Sequence, residues 1–304
     1  MAIVSVENLK MSYDKGKVQA LKGVSFDVVE GEIFGLIGPD GAGKTSLFRI
    51  LTTLLLADSG AAMVDGMNVV KDYKKIRRHI GYMPGRFSLY QDLTVEENLL
   101  FFATVFNTTI EENYHLIEDI YRQIEPFKKR KAGKLSGGMK QKLALSCALI
   151  HAPHVLFLDE PTTGVDPVSR QEFWEMLHKL KNNFRLSIVV STPYMDEALQ
   201  CDRIALIQDG KFLTIDTSDG IITSYTHTLW SVRSDKMHRL LTNLRSINGV
   251  RTAFAFGESH HATIETSVLT VDSLRNQLVD LGHRNVVIEV VEPTIEDCFM
   301  NLQK

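Results

Sequence analysis

The chain opens on short stretches in which apolar and polar residues alternate. Ile3–Val6 and Val24–Val28 predict two strands, with Asp14–Lys17 as a turn between them. Glu32–Ile37 is a denser apolar run that leads straight into a glycine-rich turn. The pattern Leu47–Leu56 beyond that turn suits a helix. Thr94 and Glu97 have the spacing of a capping box ahead of the apolar run Leu99–Phe106. Ser136 stands where an N-cap belongs, before Met139–Ile150, and Asp166-Pro167 is a cap followed by proline at the first helical position of a helix to about Leu180. His154–Leu158 and Leu186–Ser191 read as central strands buried on both faces. Strands alternating with helices of this length indicate an α/β fold with a parallel sheet and crossover helices.

After about Lys211 the pattern changes. Strands are predicted at Leu229–Val232, Val250–Phe256, Ala262–Glu265 and Val286–Val291, and helices at Lys236–Ile247 and Val271–Leu281. That order is the one found in a small ferredoxin-like α+β domain. A last short helix is expected over Ile295–Leu302.

With 304 residues the chain has room for one large domain and a small one. Hydrophobic residues make up 44% and charged residues 23%, so a packed core is expected and disorder is not. The net charge of −3 provides no overall basic field, which sets the chain against dedicated nucleic-acid binding. Cys147, Cys201 and Cys298 are odd in number and lack metal-type spacing, as free thiols in a reducing compartment would be. The first residues lack the pattern of a signal peptide. Runs such as Leu54–Ala57 or Leu99–Ala103 fall far short of the roughly 20 residues that span a bilayer. Any membrane process is therefore expected to be served from the cytoplasmic side, through a partner.

Gly38, Pro39, Asp40, Gly41, Ala42, Gly43, Lys44, Thr45 and Ser46 satisfy G-x-x-x-x-G-K-S/T between a predicted strand and a predicted helix. Glycines allow backbone amides to turn inward around phosphate oxygens, and the helix N-terminus favours anions. Lys44 is placed to reach the terminal phosphates of ATP, and the Thr45 hydroxyl to ligate magnesium. A glycine loop built for tight packing alone gives no reason for Lys44.

A second signal is Val155-Leu-Phe-Leu158 followed by Asp159, Glu160 and Pro161. Two carboxylates at the carboxyl end of a buried parallel strand lie where such sheets bind ligands. Asp159 is the candidate magnesium holder and Glu160 the candidate catalytic group that polarises an attacking water. A third signal is Leu135, Ser136, Gly137, Gly138, Met139, Lys140 and Gln141, about twenty residues upstream. Paired glycines behind a serine at a helix start form a second anion site, although by themselves these residues read more simply as a serine-capped helix after a flexible turn. One P-loop already cradles phosphate, so the spare site suggests a nucleotide held by another copy.

In this order the P-loop, the Leu135–Gln141 element and Asp159-Glu160-Pro161 with Gly164-Val165-Asp166 closely resemble the nucleotide-binding domain of ABC ATPases. The resemblance covers about residues 3–215. It implies a P-loop NTPase core of ABC type in residues 1–215, with a mostly parallel sheet, an antiparallel β subdomain and a helical subdomain at about 86–150. Residues 216–304 are then an accessory domain. It also implies a head-to-tail pair of ATPase subunits, each ATP lying between the P-loop of one and Ser136, Gly137, Gly138 and Met139 of the other. On this pattern Tyr13 looks like the aromatic that stacks on adenine, although a strand-end tyrosine packing on the core is an equal reading. Asp166 looks like an inter-subunit contact. Tyr90–Asn98, Tyr194–Ala198 and Glu292–Asp297 are similar to type-two ABC exporters such as drug-efflux systems, which act with a separate membrane-spanning permease subunit from the cytoplasmic face of the plasma membrane.

Two positions depart from the family. Gly85 stands after Tyr82-Met83-Pro84 where a glutamine is usual, and Pro193 follows Ser191-Thr192 where a histidine contacts the γ-phosphate. Proline offers neither a side-chain donor nor an N–H. Two readings remain open: the weaker half of an unequal ATPase pair, or a homodimer that tolerates both changes. A soluble ABC ATPase or a regulatory nucleotide-binding module is the alternative to a transport motor. Asp40, where asparagine is commoner, is a milder change. The basic run Lys128–Lys134 reads as a solvated loop, His151 and His154 as structural residues without ligands at metal spacing, and His260 and His261 as exposed loop histidines.

Overall fold

The computed structural model describes residues 1–303, in two compact units that meet at Ser218 and Asp219. In the first, Ala2–Tyr13 (β1) and Val18–Val29 (β2) pair antiparallel across a tight turn at Asp14–Gly16. Both strands outrun the stretches that alternation marks, because each satisfies the other's backbone through a ladder interrupted by bulges. There follow Ile33–Ile37 (β3), Lys44–Leu51 (α1), Ser59–Val64 (β4), Met67–Asn68 (β5), Tyr73–His79 (α2) and Ile80–Met83 (β6). Val95–Val105 (α3), Tyr114–Tyr121 (α4) and Gly137–Leu149 (α5) come next, then Val155–Asp159 (β7), Pro167–Phe184 (α6), Ser187–Thr192 (β8), Arg203–Gln208 (β9) and Lys211–Asp216 (β10).

One antiparallel sheet has the order β2-β1-β4-β5, and a second sheet has the order β10-β9-β3-β8-β7-β6. The second is parallel from β9 to β6, and β10 pairs antiparallel at its edge. Its strand β7, between β8 and β6, is buried throughout, and the period of two sorts its side chains between two cores. Leu156 and Leu158 join Leu99, Ile117, Leu143 and Leu177 under the helices. Val155 and Phe157 join Val4, Leu21, Phe48 and Phe34 between this sheet, α1 and the antiparallel sheet.

Capping follows the sequence. Thr94 and Glu97 form the reciprocal capping box of α3, Ser136 accepts from the Met139 amide, and Asp166 accepts from the Ser169 amide ahead of Pro167. Helix α1 differs from expectation. It starts at Lys44 and stops at Leu51 rather than spanning Leu47–Leu56. Thr53 takes φ +65°, and the amides of Thr53 and Leu54 return to the carbonyls of Ile50 and Arg49. This left-handed cap ends the helix, leaving Leu54 and Leu56 exposed. Helix α6 runs on past Leu180 to Phe184, where Arg185 takes φ +53°.

Ser218–Thr223 (α7) lies across the unit boundary. The second unit then has Thr228–Arg233 (β11), Met237–Ser246 (α8), Val250–Phe256 (β12), Ser259–Ile264 (β13), Val271–Asp280 (α9), Val287–Val291 (β14) and Ile295–Leu302 (α10). Its antiparallel sheet has the order β12-β13-β11-β14, the ferredoxin-like arrangement. His260 and His261 are not loop residues here. Both sit buried on β13, where His261 Nδ1 meets Asp297 Oδ1 at 2.8 Å and His260 Nε2 meets the Met237 carbonyl at 2.7 Å.

Candidate nucleotide site

The P-loop follows the carboxyl end of β3 and turns into α1. Gly43 has φ +109°, and a Cβ there would lie 2.4 Å from the Ala20 carbonyl oxygen. Gly38 is tighter still, since a Cβ would lie 2.0 Å from the Ile207 carbonyl oxygen. Only glycine fits at either position. Gly43 as N-cap offers no side chain to α1, so the first-turn amides of Lys44, Thr45 and Ser46 face the loop, as an anion requires. Pro39, Asp40 and Gly41 form its exposed crest, while Ala42 is buried and hydrogen-bonded to the Gly210 amide.

Lys44 is 3% exposed. Its Nζ donates to the carbonyls of Gly38 at 2.7 Å and Pro39 at 3.1 Å, and lies 3.2 Å from Glu160 Oε1. A buried ammonium held by three oxygens at the mouth of an amide cradle is suited to exchange them for phosphate oxygens. Asp159 ends β7, 2% exposed, and its Oδ1 accepts from Ser191 Oγ at 2.6 Å and Thr45 Oγ1 at 3.3 Å. A hydroxyl and a carboxylate within contact are hard oxygen donors that fit magnesium. Ser191 is the residue that motif reading misses. It orients Asp159, and both its hydroxyl and its carbonyl receive the Glu160 amide, at 3.1 and 3.0 Å.

Glu160 itself is held at φ +51°, a conformation that costs a non-glycine residue about 1–2 kcal/mol. The strain directs its carboxylate toward Lys44 and is maintained by the Ser191 contacts. Tyr82, on the neighbouring strand, has its hydroxyl pushed up to about 12, by burial first and then by the Asp159 charge. Tyr13 is half-buried and its hydroxyl meets Ser46 Oγ at 3.0 Å, so its ring stands beside the first turn of α1.

The second anion element lies elsewhere. Ser136 and Gly137 are exposed at the start of α5, while Gly138 is buried against α6, where a Cβ would come 2.8 Å from Ser169 Oγ. Lys142 and Glu172, at 2.7 Å, bind the same two helices. Asp166 caps α6 in full exposure, its carboxyl lowered chiefly by the Ser169 amide. Thus Ser136–Met139 and Asp166 share one surface. Among the described residues no hydrogen bond or ion pair joins 136–139 to 38–46 or to Asp159. At the two departures, a Cβ on Gly85 would sit 3.0 Å from the Asp159 carbonyl oxygen, and Pro193 leaves the adjoining Thr192 hydroxyl accepting from the Tyr194 amide.

The family model described as "ABC transporter" matches residues 21–163. The chain is 36% identical over 305 residues to the probable multidrug ABC transporter ATP-binding protein YbhF of Escherichia coli, covering 99% of this chain but only 52%, about half, of that relative. It is 31% identical to the linearmycin resistance ATP-binding protein LnrL of Bacillus subtilis, over 99% of this chain and 98% of that one. Among solved structures, the ATP-binding cassette MJ0796, a dimer in a post-hydrolysis state with ADP and Pi, matches with a TM-score of 0.64 and 27% identity, covering 70% of this chain and 98% of that one. A P-loop, a strand ending in Asp159-Glu160 and a serine–glycine helix start, on the fold of those cassettes and across the full length of one such relative, place the chain in the ABC transporter family, among its ATP-binding proteins.

Proposed function

We propose that this chain is the ATP-binding subunit of an export system, in which paired ATPase subunits drive a separate membrane-spanning permease. The observation that carries this reading is the separation of two half-sites. Lys44, Glu160, Asp159 and Thr45 converge at the ends of β3 and β7, while Ser136, Gly137 and Asp166 are exposed at the starts of α5 and α6. A head-to-tail pair brings each half-site to the other's complement. The MJ0796 cassette, itself dimeric, supports this arrangement.

Within that pair, Lys44 gives up the Gly38 and Pro39 carbonyls to hold the phosphates of ATP, and Tyr13 covers the adenine. Thr45 and Asp159 would hold magnesium, which would neutralise charge that develops on the phosphate. Glu160 orients the attacking water and accepts its proton. Ser191 keeps Asp159 and the Glu160 backbone in place. Ser136 and the amides of Gly137 and Gly138, beside Met139, close over the partner's nucleotide, and Asp166 contacts the partner near its own site.

The chain reads as the less active half of an unequal pair. Pro193 places no donor beside the γ-phosphate, and Gly85 provides no side chain beside Asp159. Residues 1–215 serve as the nucleotide-binding domain and 216–304 as an accessory domain. Among the described residues no helix is long and apolar enough to cross a membrane. In the proposed role the permease is a separate subunit, and this chain lies peripherally on the cytoplasmic face. A cleft of about 370 Å³ lined by Tyr82, Phe87, Leu89, Phe102, Phe106 and Cys147 lies next to Phe87–Gln91 and suits an apolar helix end of that subunit. The names of the relatives support a drug-like or antibiotic cargo.

The test is ATP turnover by the purified chain, alone and with its co-purifying subunits. Slow turnover alone, rising when a second ATPase subunit is added, supports the unequal pair. Brisk turnover alone that Glu160→Gln abolishes would assign a homodimer. Failure to bind ATP at all, with Lys44→Ala indistinguishable from the parent chain, would overturn the reading.

A further inference from the structure

Asp65, His79 and His154 lie 14, 75 and 89 residues apart in the chain, and no sequence spacing links them. Asp65 occupies the two-residue turn between β4 and β5, where Asp65 and Gly66 have φ +52° and +69°, as a type I′ hairpin requires. Its amide is fixed to the Ile3 carbonyl at 2.7 Å. His79 is the last residue of α2, and His154 immediately precedes β7. The His154 amide donates to the His79 carbonyl at 2.8 Å, which holds the two imidazoles side by side.

Both rings turn the same nitrogen to the same atom. His79 Nδ1 lies 2.7 Å and His154 Nδ1 2.9 Å from Asp65 Oδ2, with the ring planes at 73° and the centroids 4.8 Å apart. One ligand atom from each residue falls within a span of 4.8 Å. One hairpin turn and two long-range backbone bonds thus bring two imidazole nitrogens and one carboxylate oxygen to one point. We infer that Asp65, His79 and His154 form a binding site for a divalent transition cation of the zinc type.

The donor set selects the class of ion. Imidazole suits zinc, copper and nickel better than magnesium or calcium, which favour oxygen ligands throughout. Tetrahedral zinc with bonds near 2.0–2.1 Å separates its ligands by about 3.3 Å. The two N···O distances need to widen by about half an ångström and the 4.8 Å span of the ligand atoms to draw in, which three partly exposed side chains allow. Three protein ligands leave a fourth position for water. A cleft of about 520 Å³ lined by Asp65, Gly66, Pro153 and His154 provides access.

The position gives such a site a structural consequence. His154 and Asp159 stand at opposite ends of β7, about 16–17 Å apart along the strand. A cation there ties the β4–β5 hairpin to the start of a core strand, at the end remote from the nucleotide. It is therefore a different site from the magnesium position at Thr45 and Asp159, and it does not depend on the transport reading.

The experiment uses the full chain, stripped with a chelator and titrated with zinc chloride in excess magnesium against a chromophoric competitor. One zinc per chain is expected. His79→Ala and His154→Ala should each weaken binding tenfold or more, since even the loss of outer partners of a metal site costs about 10–100-fold. ATP affinity should stay unchanged in both variants. No bound zinc in the parent chain, or binding by both variants as tight as the parent's, overturns the inference. Should the variants fail to fold, X-ray absorption on the zinc-loaded parent chain decides. Two imidazole nitrogens with oxygen at about 2.0–2.2 Å are expected, and a shell of oxygens alone overturns the site.

Discussion

The ammonium of Lys44 and the carboxylate of Glu160 lie 3.2 Å apart, although 115 residues separate them in the chain. The lysine comes from the loop after β3 and the glutamate from the end of β7, two strands with β8 between them in the sheet. In the proposed reaction the phosphate-holding cation and the water-orienting base are thus brought to one place, and their ion pair opens as phosphate enters. Replacing either residue should separate binding from turnover. Lys44→Ala is expected to lose nucleotide affinity, read with a fluorescent ATP analogue. Glu160→Gln should keep that affinity while phosphate release falls about 10²–10⁴-fold, the usual weight of a general base. Equal loss of binding in both variants would remove the assigned roles.

Ser191 is predicted to matter through Asp159 rather than through ATP itself. Ser191→Ala removes the 2.6 Å bond to Asp159 Oδ1 and one of the two acceptors of the Glu160 amide. Apparent magnesium affinity in ATP turnover should fall about 10–100-fold, while ATP binding without magnesium changes little. Ser191→Thr, which retains the hydroxyl, should recover most of the loss. A fall in the magnesium-free affinity instead would make Ser191 a purely structural residue.

The two departures should respond differently to reversal. Pro193→His places a donor beside the γ-phosphate position and is expected to raise turnover of the chain alone, by up to about 10²–10³-fold. Gly85→Gln should do little by itself, because its Cβ starts 3.0 Å from the Asp159 carbonyl and the loop must shift by a few tenths of an ångström. Steady-state ATPase of the two single variants and the double variant checks this. A large gain from Gly85→Gln alone would contradict the steric argument.

His151 predicts a dependence of stability on pH. Its ring stacks on Phe106 at 3.8 Å and bonds the Ile80 carbonyl. Burial, the larger influence, holds its pKa below the ordinary 6.5, and the carbonyl contact opposes this only in part. The unfolded chain therefore binds the proton first as the pH falls. Stability from this group is intact above about 6.5 and declines as the pH drops from there toward the lower folded value. Urea unfolding at pH 7.5 and 5.5 should show a larger loss for the parent chain than for His151→Gln. Identical losses would show that His151 takes up its proton equally readily in the folded and unfolded chains, against the effect of its burial.

The P-loop was legible because its chemistry is local: glycines, a lysine and a hydroxyl within nine residues, on a turn whose geometry those residues dictate. The caps at Thr94, Ser136 and Asp166 were legible for the same reason, each bonding an amide three residues on. Where α1 stops was not. Leu54 and Leu56 continue an apolar pattern, but Thr53 turns left-handed and the carbonyls of Arg49 and Ile50 are closed by the cap. His260 and His261 follow the Gly257–Glu258 turn and looked exposed. The pairing of β13 between β12 and β11, and Asp297 arriving from α10, bury them.

From residue order alone came the family, the α/β core with its ferredoxin-like companion and the identity of the phosphate-binding loop, since these rest on periodicity and on contacts within a turn. Tertiary structure alone decided which distant groups meet: Ser191 with Asp159, Lys44 with Glu160, and Asp65 with His79 and His154. The reason is physical. A side-chain contact between separate strands is set by sheet order and register, and sheet order follows from packing the whole chain rather than from any short stretch of it.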